Sequence, residues 1–263
     1  MQNKLNKNIK LCLGIDPNPT EHKFKQFKEC VYKHMEILDF CKNSLYNIII
    51  KPQFAFFLSF GNKGLLLLEE LVAQFQNTFT IILDGKFNDI SNSLQAYLHF
   101  AFNTLGVHGL TISPFLGEKS IQVSFEYCAK RWGKRGRVYI LCATTESSSQ
   151  ELSFIHNNWK NILLATSKQQ KEVFKNTTDL YQIAGVVVGA NHNSILLSPE
   201  IKDSGLSILA PGLGFQSQKW NIIQECANQP NEIIFPISRA IFAGGNTTTL
   251  QMHKNLNEIQ QYF

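Results

Sequence analysis

Short apolar runs alternate with longer amphipathic segments along almost the whole chain. The runs are rich in β-branched residues and predict eight strands, at 9–15, 47–51, 79–84, 108–113, 137–143, 184–189, 206–211 and 232–238. The segments between them predict helices at 21–46, 62–77, 89–104, 119–131, about 148–177 in pieces, 192–202, 217–227 and 250–260. Regular alternation of this kind is typical of α/β proteins with parallel strands.

Eight strand–helix units over about 250 residues favour a (β/α)8 barrel, the TIM-barrel fold. A doubly wound sheet shares the alternation, but it would place a GxGxxG turn after the first strand, where residues 14–20 read GIDPNPT. No linker, low-complexity segment or internal repeat divides the sequence. We therefore expect a single barrel domain over residues 1–263.

Composition limits the class of protein. Of 263 residues, 44% are hydrophobic and 17% are charged, which is ordinary for a globular chain. No apolar run approaches the length of a membrane span, and the apolar stretch 11–15 is too short for a signal peptide. Six cysteines without a CxxC pair fit a reducing cytoplasm better than a disulfide framework. We therefore expect a cytoplasmic protein that does not enter a membrane.

Charge and metal-ligand spacing argue against two further classes. The net charge of +5 is mild, and the one dense basic stretch, 130–139, is better interpreted as a solvated loop than as a nucleic-acid surface. A nucleic-acid-binding protein would also need more stacking aromatic residues than this stretch offers. His, Cys and carboxylate residues lack a metal-ligand spacing such as HExxH. We expect neither nucleic acid as a partner nor a bound metal.

Charged residues occur where the first three predicted strands end. Asp16 follows the first strand, Lys51 ends the second, and Asp84 and Lys86 come at the end of the third, with Asp89 close behind. In a barrel these ends meet at one mouth, where functional side chains lie. The recurrence of charge at successive strand ends therefore favours a functional site.

The close spacing of these charges has a chemical interpretation. On a strand that continues past Leu83, Asp84 and Lys86 point to the same side. Charges at the edge of a core are costly to desolvate unless they pair or take part in chemistry. In a dry pocket alternating charges would keep Lys86 protonated, so that its ammonium could deliver a proton to a developing carbanion. Considered alone, the stretch 81–90 is better explained as a surface turn with an incidental ion pair.

The later strand ends predict an anion site. Residues 211–216 follow the seventh strand, and Gly212 and Gly214 would let the backbone approach an anion closely, although a tight turn also explains them. Arg239 directly follows the eighth strand, whereas the other three of the four arginines lie in 131–137. Because a guanidinium suits two-point contact with phosphate, and these two loops commonly hold phosphate in barrels, we predict a phosphate site here.

Taken together, the motifs at these positions resemble the orotidine 5′-phosphate decarboxylase family, in its subgroup with Lys-Pro-Gln at the end of the second strand. The matching segments follow the family's order: LCLGIDP (11–17), KPQFAFF (51–57), LDGKFNDI (83–90), LTISPFLG (110–117), GVVVGA (185–190), PGLGFQ (211–216) and ISRAI (237–241). The D-x-K-x-x-D spacing is shared with sister decarboxylases. The preceding Lys-Pro-Gln and the two following phosphate loops make the resemblance specific.

The resemblance implies decarboxylation of orotidine 5′-monophosphate (OMP) to uridine 5′-monophosphate (UMP) and CO2, the last step of pyrimidine synthesis, without a cofactor. It implies that Lys86 protonates C6 of the pyrimidine, that Asp84 lies beside the departing carboxylate, and that Lys51 belongs to the same charge network. It further implies a homodimer in which Asp89 and Ile90 reach the active site of the other subunit.

Substrate contacts are implied in the same way. Asp16 would bind the ribose, and Thr145 stands where the family places a serine on the pyrimidine ring. Gln216 and Arg239 stand where the family holds the 5′-phosphate. The implied substrate-binding residues are Asp16, Ile90, Ser93, Thr145, Pro211, Gly212, Gln216 and Arg239.

The chain also differs from the family pattern at several positions. Phe-Asn at 87–88 replaces the usual Arg-Gly, and Ser93 replaces a threonine. The sequences of the loops 144–150 and 211–218 also differ from those usual in the family. None of these differences removes a charged member of the implied site.

Three other functions fit parts of the pattern. A metal-dependent decarboxylase of 3-keto-sugar phosphates would share Asp84, Lys86 and Asp89, but such enzymes place a glutamate where Lys51 stands. A phosphate-binding barrel without catalytic activity would be favoured by loss of Asp84 or Lys86, and both are present. A nucleic-acid-binding protein would use 130–139, whose charge is too weak and clustered.

Overall fold

Eight parallel strands close into a barrel in which each strand pairs with its neighbours in chain order. The strands are β1 Ile9–Ile15, β2 Ile49–Pro52, β3 Thr80–Phe87, β4 Gly109–Ile112, β5 Arg137–Ala143, β6 Ala184–Val188, β7 Ser207–Leu209 and β8 Ile233–Ile237. Pairing of β1 with β8, which sets Ile9 beside Ile233, closes the ring. The predicted (β/α)8 fold class is confirmed.

Helices follow the strands and cover the barrel. They are α1 Phe24–Cys41, α2 Phe54–Leu58, α3 Asn62–Phe75, α4 Ser91–His99, α5 Glu118–Tyr127, α6 Trp159–Val173, α7 Asn193–Leu196, α8 Pro199–Asp203, α9 Asn221–Cys226 and α10 Thr249–Gln260. Two of them, α4 and α5, continue directly into π-helical turns, Phe100–Leu105 and Cys128–Trp132. None of the helices in the described ranges is both long and apolar enough to cross a membrane.

The computed structural model describes residues 8–20, 23–42, 48–132, 136–145, 157–173, 175, 184–213, 220–242 and 247–263. Within these ranges the predicted strands agree with the structure to within about three residues at each end. The predicted helix 192–202 is two short helices, because Ser198 accepts a hydrogen bond from the Ile201 N–H and Pro199 occupies the first turn of α8.

The helices pack through one apolar face. In α3 the buried side chains are Leu67, Leu68, Leu71, Val72 and Phe75, which recur at intervals of three and four residues. They join a large core between helices and strands, to which the strands contribute every second residue. The remaining strand residues therefore face the inside of the barrel.

The inside of the barrel is filled in layers. The middle layer is mostly apolar and, at β5, two residues deep; it consists of Cys12, Ile49, Ile82, Tyr139, Leu141, Val187, Leu209 and Ile234. The Tyr139 hydroxyl lies 3.5 Å from Arg137 Nη1 and from Ser207 Oγ, on the amino-terminal side of this layer. Because side chains on one face of a strand recur every two residues, the residues two positions later on β2 and β3, Lys51 and Asp84, lie above this layer. The barrel is thus a packed core, and the charged side chains stand on its apolar layer at the carboxyl ends of the strands.

A second polar layer closes the opposite end of the interior. Arg137 Nη1 lies 3.1 Å from Glu232 Oε2, which also accepts a hydrogen bond of 2.9 Å from the Ser207 hydroxyl. These residues precede Tyr139, Leu209 and Ile234 of the apolar layer by two positions. A partly buried ion pair therefore lies at the amino-terminal end of the barrel, opposite the charged residues of the mouth.

Candidate active site

The end of β3 departs from regular strand geometry where its charged residues lie. Leu83 pairs with Leu110 of β4, and Phe87 pairs with Ile112, so that four steps along β3 match two steps along β4. Lys86 has a φ of 47°, in the left-handed region that residues with a β-carbon seldom adopt. A β-carbon at position 85 would lie 2.5 Å from the Phe87 ring, so the bulge requires Gly85.

This irregular segment brings three charged side chains together. Lys51 Nζ lies 2.6 Å from Asp84 Oδ2, and Lys86 Nζ lies 2.7 Å from Asp84 Oδ1. Each carboxylate oxygen thus accepts a hydrogen bond from a different ammonium group. We call Lys51, Asp84 and Lys86 the charge set. The expectation that Asp84 and Lys86 would meet is confirmed, although a bulge rather than a regular strand brings them together.

Burial and charge act in opposite directions within the charge set. Burial would raise the pKa of the Asp84 carboxyl, but attraction to Lys51 and Lys86 outweighs it and holds that pKa well below its usual range. Burial would likewise lower the pKa of Lys51, but the nearby carboxylates of Asp84 and Asp16 raise it above its ordinary value. Asp84 and Lys51 are therefore both ionised at neutral pH.

Exposure separates the two lysines. Asp84 is 8% exposed and Lys51 is 6% exposed, so their pair lies within the barrel. The side chain of Lys86 is 46% exposed and faces the mouth. Within the charge set Lys86 is therefore the group that a bound molecule can reach. Asp84 fixes the position of the Lys86 ammonium, and Asp84 and Lys51 set the electrostatic field around it.

Thr111 is a part of the site that the sequence interpretation missed. Its hydroxyl donates a 2.9 Å hydrogen bond to Asp84 Oδ1 and accepts one of 2.9 Å from the Lys86 backbone N–H. The inward placement of Thr111 follows from the two-residue alternation of β4, in which Leu110 and Ile112 belong to the outer core. That alternation is the feature of the sequence from which the inward position of Thr111 could have been predicted.

Asp16 lies at the mouth beside the charge set, because β1 pairs with β2, the strand that carries Lys51. It follows β1, and the hydroxyl of Ser238, which follows β8, donates a hydrogen bond to Asp16 Oδ1. A β-carbon on Gly14 would lie 2.9 Å from Cβ of Ser238, so the two strand ends are in close contact. Beneath them burial raises the pKa of the Cys12 thiol to about 12, which keeps the floor of the site neutral.

The turn after β8 is supported by a buried aromatic contact. His34 of α1 stacks on Phe242 with 3.6 Å between ring centres, and its Nδ1–H donates to the Cys30 carbonyl. Burial lowers the pKa of His34 to about 4, so the ring is neutral at pH 7. The Phe242 N–H in turn donates to the Ser238 carbonyl, which fixes the turn that carries Arg239.

Three of the residues predicted to bind phosphate, Pro211, Gly212 and Arg239, follow strands at the mouth of the barrel. Arg239 is exposed directly after β8, and Gly212, with a φ of 102°, follows β7. The Pro211 carbonyl accepts a 2.7 Å hydrogen bond from the Ala190 N–H, which ties the turn after β7 to the turn after β6. Gly214 and Gln216 lie outside the described residues.

The residues predicted to contact the pyrimidine and the partner subunit lie around the mouth. Thr145 follows β5, and its carbonyl accepts a hydrogen bond from the Asn191 side chain. Ser93 is exposed in the first turn of α4, and Ile90, just before that helix, is 68% exposed. No ion pair joins Asp89 to Lys86 within the described part of the chain, so Asp89 stands apart from the charge set.

Comparison with known proteins gives a consistent result. The model of the orotidine 5′-phosphate decarboxylase / HUMPS family matches residues 10–249. The orotidine 5′-phosphate decarboxylase of Roseiflexus castenholzii is 30% identical over 214 residues, covering 79% of this chain and 73% of its own. That of Herpetosiphon aurantiacus is 26% identical over 243 residues, covering 90% of this chain and 86% of its own.

Solved structures support the same fold. The chain superposes on the OMP decarboxylase of Leishmania donovani with a TM-score of 0.70 and 21% identity, covering 96% of this chain and 92% of the other. It superposes on the orotidine 5′-monophosphate decarboxylase of Methanocaldococcus jannaschii, solved with the inhibitor BMP, with a TM-score of 0.65 and 18% identity; the match covers 95% of this chain and 97% of the other.

Proposed function

The chain belongs to the orotidine 5′-phosphate decarboxylase / HUMPS family, and from this premise we propose that it converts OMP to UMP and CO2 without a cofactor. The observation that carries the proposal is the charge set, in which an accessible ammonium and a buried one both bind Asp84. A carboxylate with two ammonium partners at the mouth of a barrel suits a reaction that creates and then protonates a carbanion.

Lys86 supplies the proton in the proposed reaction. The bond between C6 of the pyrimidine and its carboxylate breaks, CO2 leaves, and the electron pair remains on C6. The Lys86 ammonium transfers a proton to C6 to form the C6–H bond of UMP, and water then reprotonates the amine. Its 46% exposed side chain supports this role, because it can contact a ligand while Asp84 holds it.

Asp84 and Lys51 act on the charge that moves during the reaction. Asp84 lies beside the departing carboxylate, so that the repulsion between two anions is relieved as CO2 forms. Its two hydrogen-bonded ammonium groups keep Asp84 ionised, which maintains that repulsion and holds Lys86 in place. Lys51 also reaches the ribose, together with Asp16, whose carboxylate raises the pKa of Lys51.

The remaining mouth residues bind the ends of the substrate. Thr145 contacts the pyrimidine ring and Ser93 contributes from α4. The 5′-phosphate lies at the turns after β7 and β8, where Pro211, Gly212, Gln216 and Arg239 hold it. The exposed position of Arg239 after β8 and the positive φ of Gly212 after β7 support this assignment, because guanidinium groups and glycine-containing turns at these two strand ends commonly bind phosphate.

The enzyme acts as a homodimer in this proposal. Asp89 of the partner subunit completes the charge set as its second carboxylate, and Ile90 of the partner subunit contacts the substrate. The support is twofold: Ile90 is 68% exposed, and Asp89 accepts a hydrogen bond only from the Ile90 N–H among the described residues. Such a side chain on the rim of the mouth is suited to a neighbouring subunit.

Mixed dimers test this arrangement. Lys86→Ala and Asp89→Ala chains with different tags are produced together, and the heterodimer is purified through both tags. One of its two sites then contains Lys86 and an intact Asp89 from the partner, so its turnover should be about half that of the wild-type dimer. Each doubly tagged mutant homodimer is the control. A heterodimer no more active than those homodimers would contradict sharing of the site.

A metal-dependent sister activity is the second candidate within the family. Those enzymes resemble this chain at Asp84 and Lys86 but place a glutamate at the position of Lys51. Here that position carries an ammonium 2.6 Å from Asp84, which repels a divalent cation. The structure of the charge set therefore favours the metal-free reaction.

Loss of the OMP absorbance in the presence of EDTA tests the proposed function. We expect the purified protein to consume OMP and release equimolar UMP at a rate that EDTA does not change, because both cations at Asp84 are side chains. A 3-keto-sugar phosphate is the comparison substrate and should not be turned over. Activity that EDTA removes and Mg²⁺ restores, or no OMP turnover at all, would contradict the proposal.

A further inference from the structure

The hydroxyl of Thr111 has a single possible orientation. The residue is 1% exposed, and its oxygen lies 2.9 Å both from the Lys86 backbone nitrogen and from Asp84 Oδ1. The Lys86 N–H can only donate, so the hydroxyl accepts from it and must use its own proton to bind Asp84. Thr111 therefore links the backbone of one member of the charge set to the carboxylate of another.

This link replaces a bond that the sheet does not provide. Between the pairs Leu83–Leu110 and Phe87–Ile112, the single β4 residue Thr111 stands opposite the three β3 residues 84–86. The Lys86 N–H points at the Thr111 side chain instead of a ladder carbonyl. The hydroxyl thus occupies the place of a backbone partner within the bulge.

The same link supports a strained conformation. A φ of 47° is a strained backbone conformation for a residue with a β-carbon such as Lys86. Such strain persists only where neighbouring contacts determine it, and the hydrogen bond to Thr111 is one such contact. This conformation turns the Lys86 side chain back over Asp84, where its Nζ binds Oδ1, the oxygen that Thr111 also binds.

We propose that Thr111 is a positioning residue of the decarboxylation, which sets both the backbone of Lys86 and the orientation of the Asp84 carboxylate. It does not contact the reacting atoms. It acts through Lys86 and Asp84, and its contribution is therefore to the chemical step and not to binding of the nucleotide. This inference rests on the proposed function, because it assigns the effect to proton delivery by Lys86.

Two substitutions at Thr111 separate the hydroxyl from the shape of the side chain. Thr111→Val keeps the volume and removes both hydrogen bonds, whereas Thr111→Ser keeps them. We expect Thr111→Val to lower kcat for OMP by about 30- to 100-fold, since a misplaced catalytic group loses that much. The KM for OMP and the Kd for UMP, measured by calorimetry, should change by less than about threefold. Thr111→Ser should retain the wild-type kcat within about threefold.

A double-mutant cycle and a matched control identify the route of the effect. In an Asp84→Asn background, Thr111→Val should lower kcat by less than about fivefold, because its main partner is already altered. Thr166→Val is the control: Thr166 is equally buried, and its hydroxyl donates to the Ile162 carbonyl within α6. Thr166→Val should lower the melting temperature about as much as Thr111→Val does, but it should leave kcat unchanged.

The outcomes distinguish this inference from the proposed function. Wild-type protein without OMP turnover would refute the function itself. Two results with active wild type and a folded Thr111→Val variant would refute the role of Thr111. In one, the kcat of the variant stays within threefold of wild type; in the other, its Kd for UMP changes as much as its kcat. If Thr111→Val does not fold, Thr111→Ala replaces it with the same expected separation of kcat from Kd.

Discussion

Replacement of Lys86 by alanine is expected to lower kcat/KM for OMP by at least about 10⁴-fold, or roughly 5 kcal/mol of transition-state stabilisation. The variant loses the proton donor and one of the two ammonium groups that bind Asp84. Steady-state loss of OMP absorbance gives the rate, and calorimetric titration with UMP shows whether the site still binds nucleotide. Since Lys86 is half-exposed, the fold should persist.

A surface lysine provides the matched control for this substitution. Lys130 pairs with Glu126 on the outside of the barrel, and its side chain is 75% exposed. Lys130→Ala removes the same ammonium group and should leave turnover unchanged, because exposed ion pairs contribute little. If Lys86→Ala keeps more than about 1% of wild-type kcat/KM, Lys86 does not supply the proton.

Replacement of Asp84 by asparagine is expected to reduce both activity and stability. The amide has nearly the same shape but leaves the buried Lys51 ammonium without its carboxylate partner. We expect kcat/KM to fall about 10³-fold and the free energy of unfolding to fall by about 3 kcal/mol. Without Asp84, the Asp16 carboxylate alone offsets the burial of Lys51, so the pKa of Lys51 falls from its wild-type value and the remaining activity becomes pH-dependent.

Activity assays and urea denaturation of Asp84→Asn measure these two effects separately. Asp39→Asn is the control, since Asp39 forms an exposed pair with Lys42 on α1 and should change neither quantity appreciably. An Asp84→Asn variant with turnover within tenfold of wild type would show that the negative charge between the two lysines is not needed for catalysis.

The barrel could be predicted because parallel strands that are buried on both faces consist of continuous apolar runs. All eight runs are strands, and the residues inside and outside the barrel follow the two-residue alternation. The irregular parts were not predicted. The π-helical turn at Phe100–Leu105 and the break between α7 and α8 depend on local hydrogen bonds that a hydrophobic pattern does not record.

The site was predictable as far as it depends on position along single strands. The charged residues at the ends of the second and third predicted strands do lie together, as the contacts of Asp84 with Lys51 and Lys86 show. The bulge, the left-handed Lys86 and the role of Thr111 arise from the register between β3 and β4, which neither strand's sequence shows by itself. The contributions of Asp89 and Ile90 depend on a second copy of the chain and stay predictions.

The ion pair at the amino-terminal end of the barrel has a consequence for protein engineering. Arg137, Glu232 and Ser207 are separated from the charge set by a layer of mostly apolar side chains. Replacing an ion pair that is mostly shielded from water, as this one is, by well-packed apolar residues is often neutral or stabilising. Directed evolution for heat resistance can therefore substitute residues at this end of the interior, and selection for new substrates can substitute residues at the mouth. Substitutions at one end should have little effect on the property selected at the other.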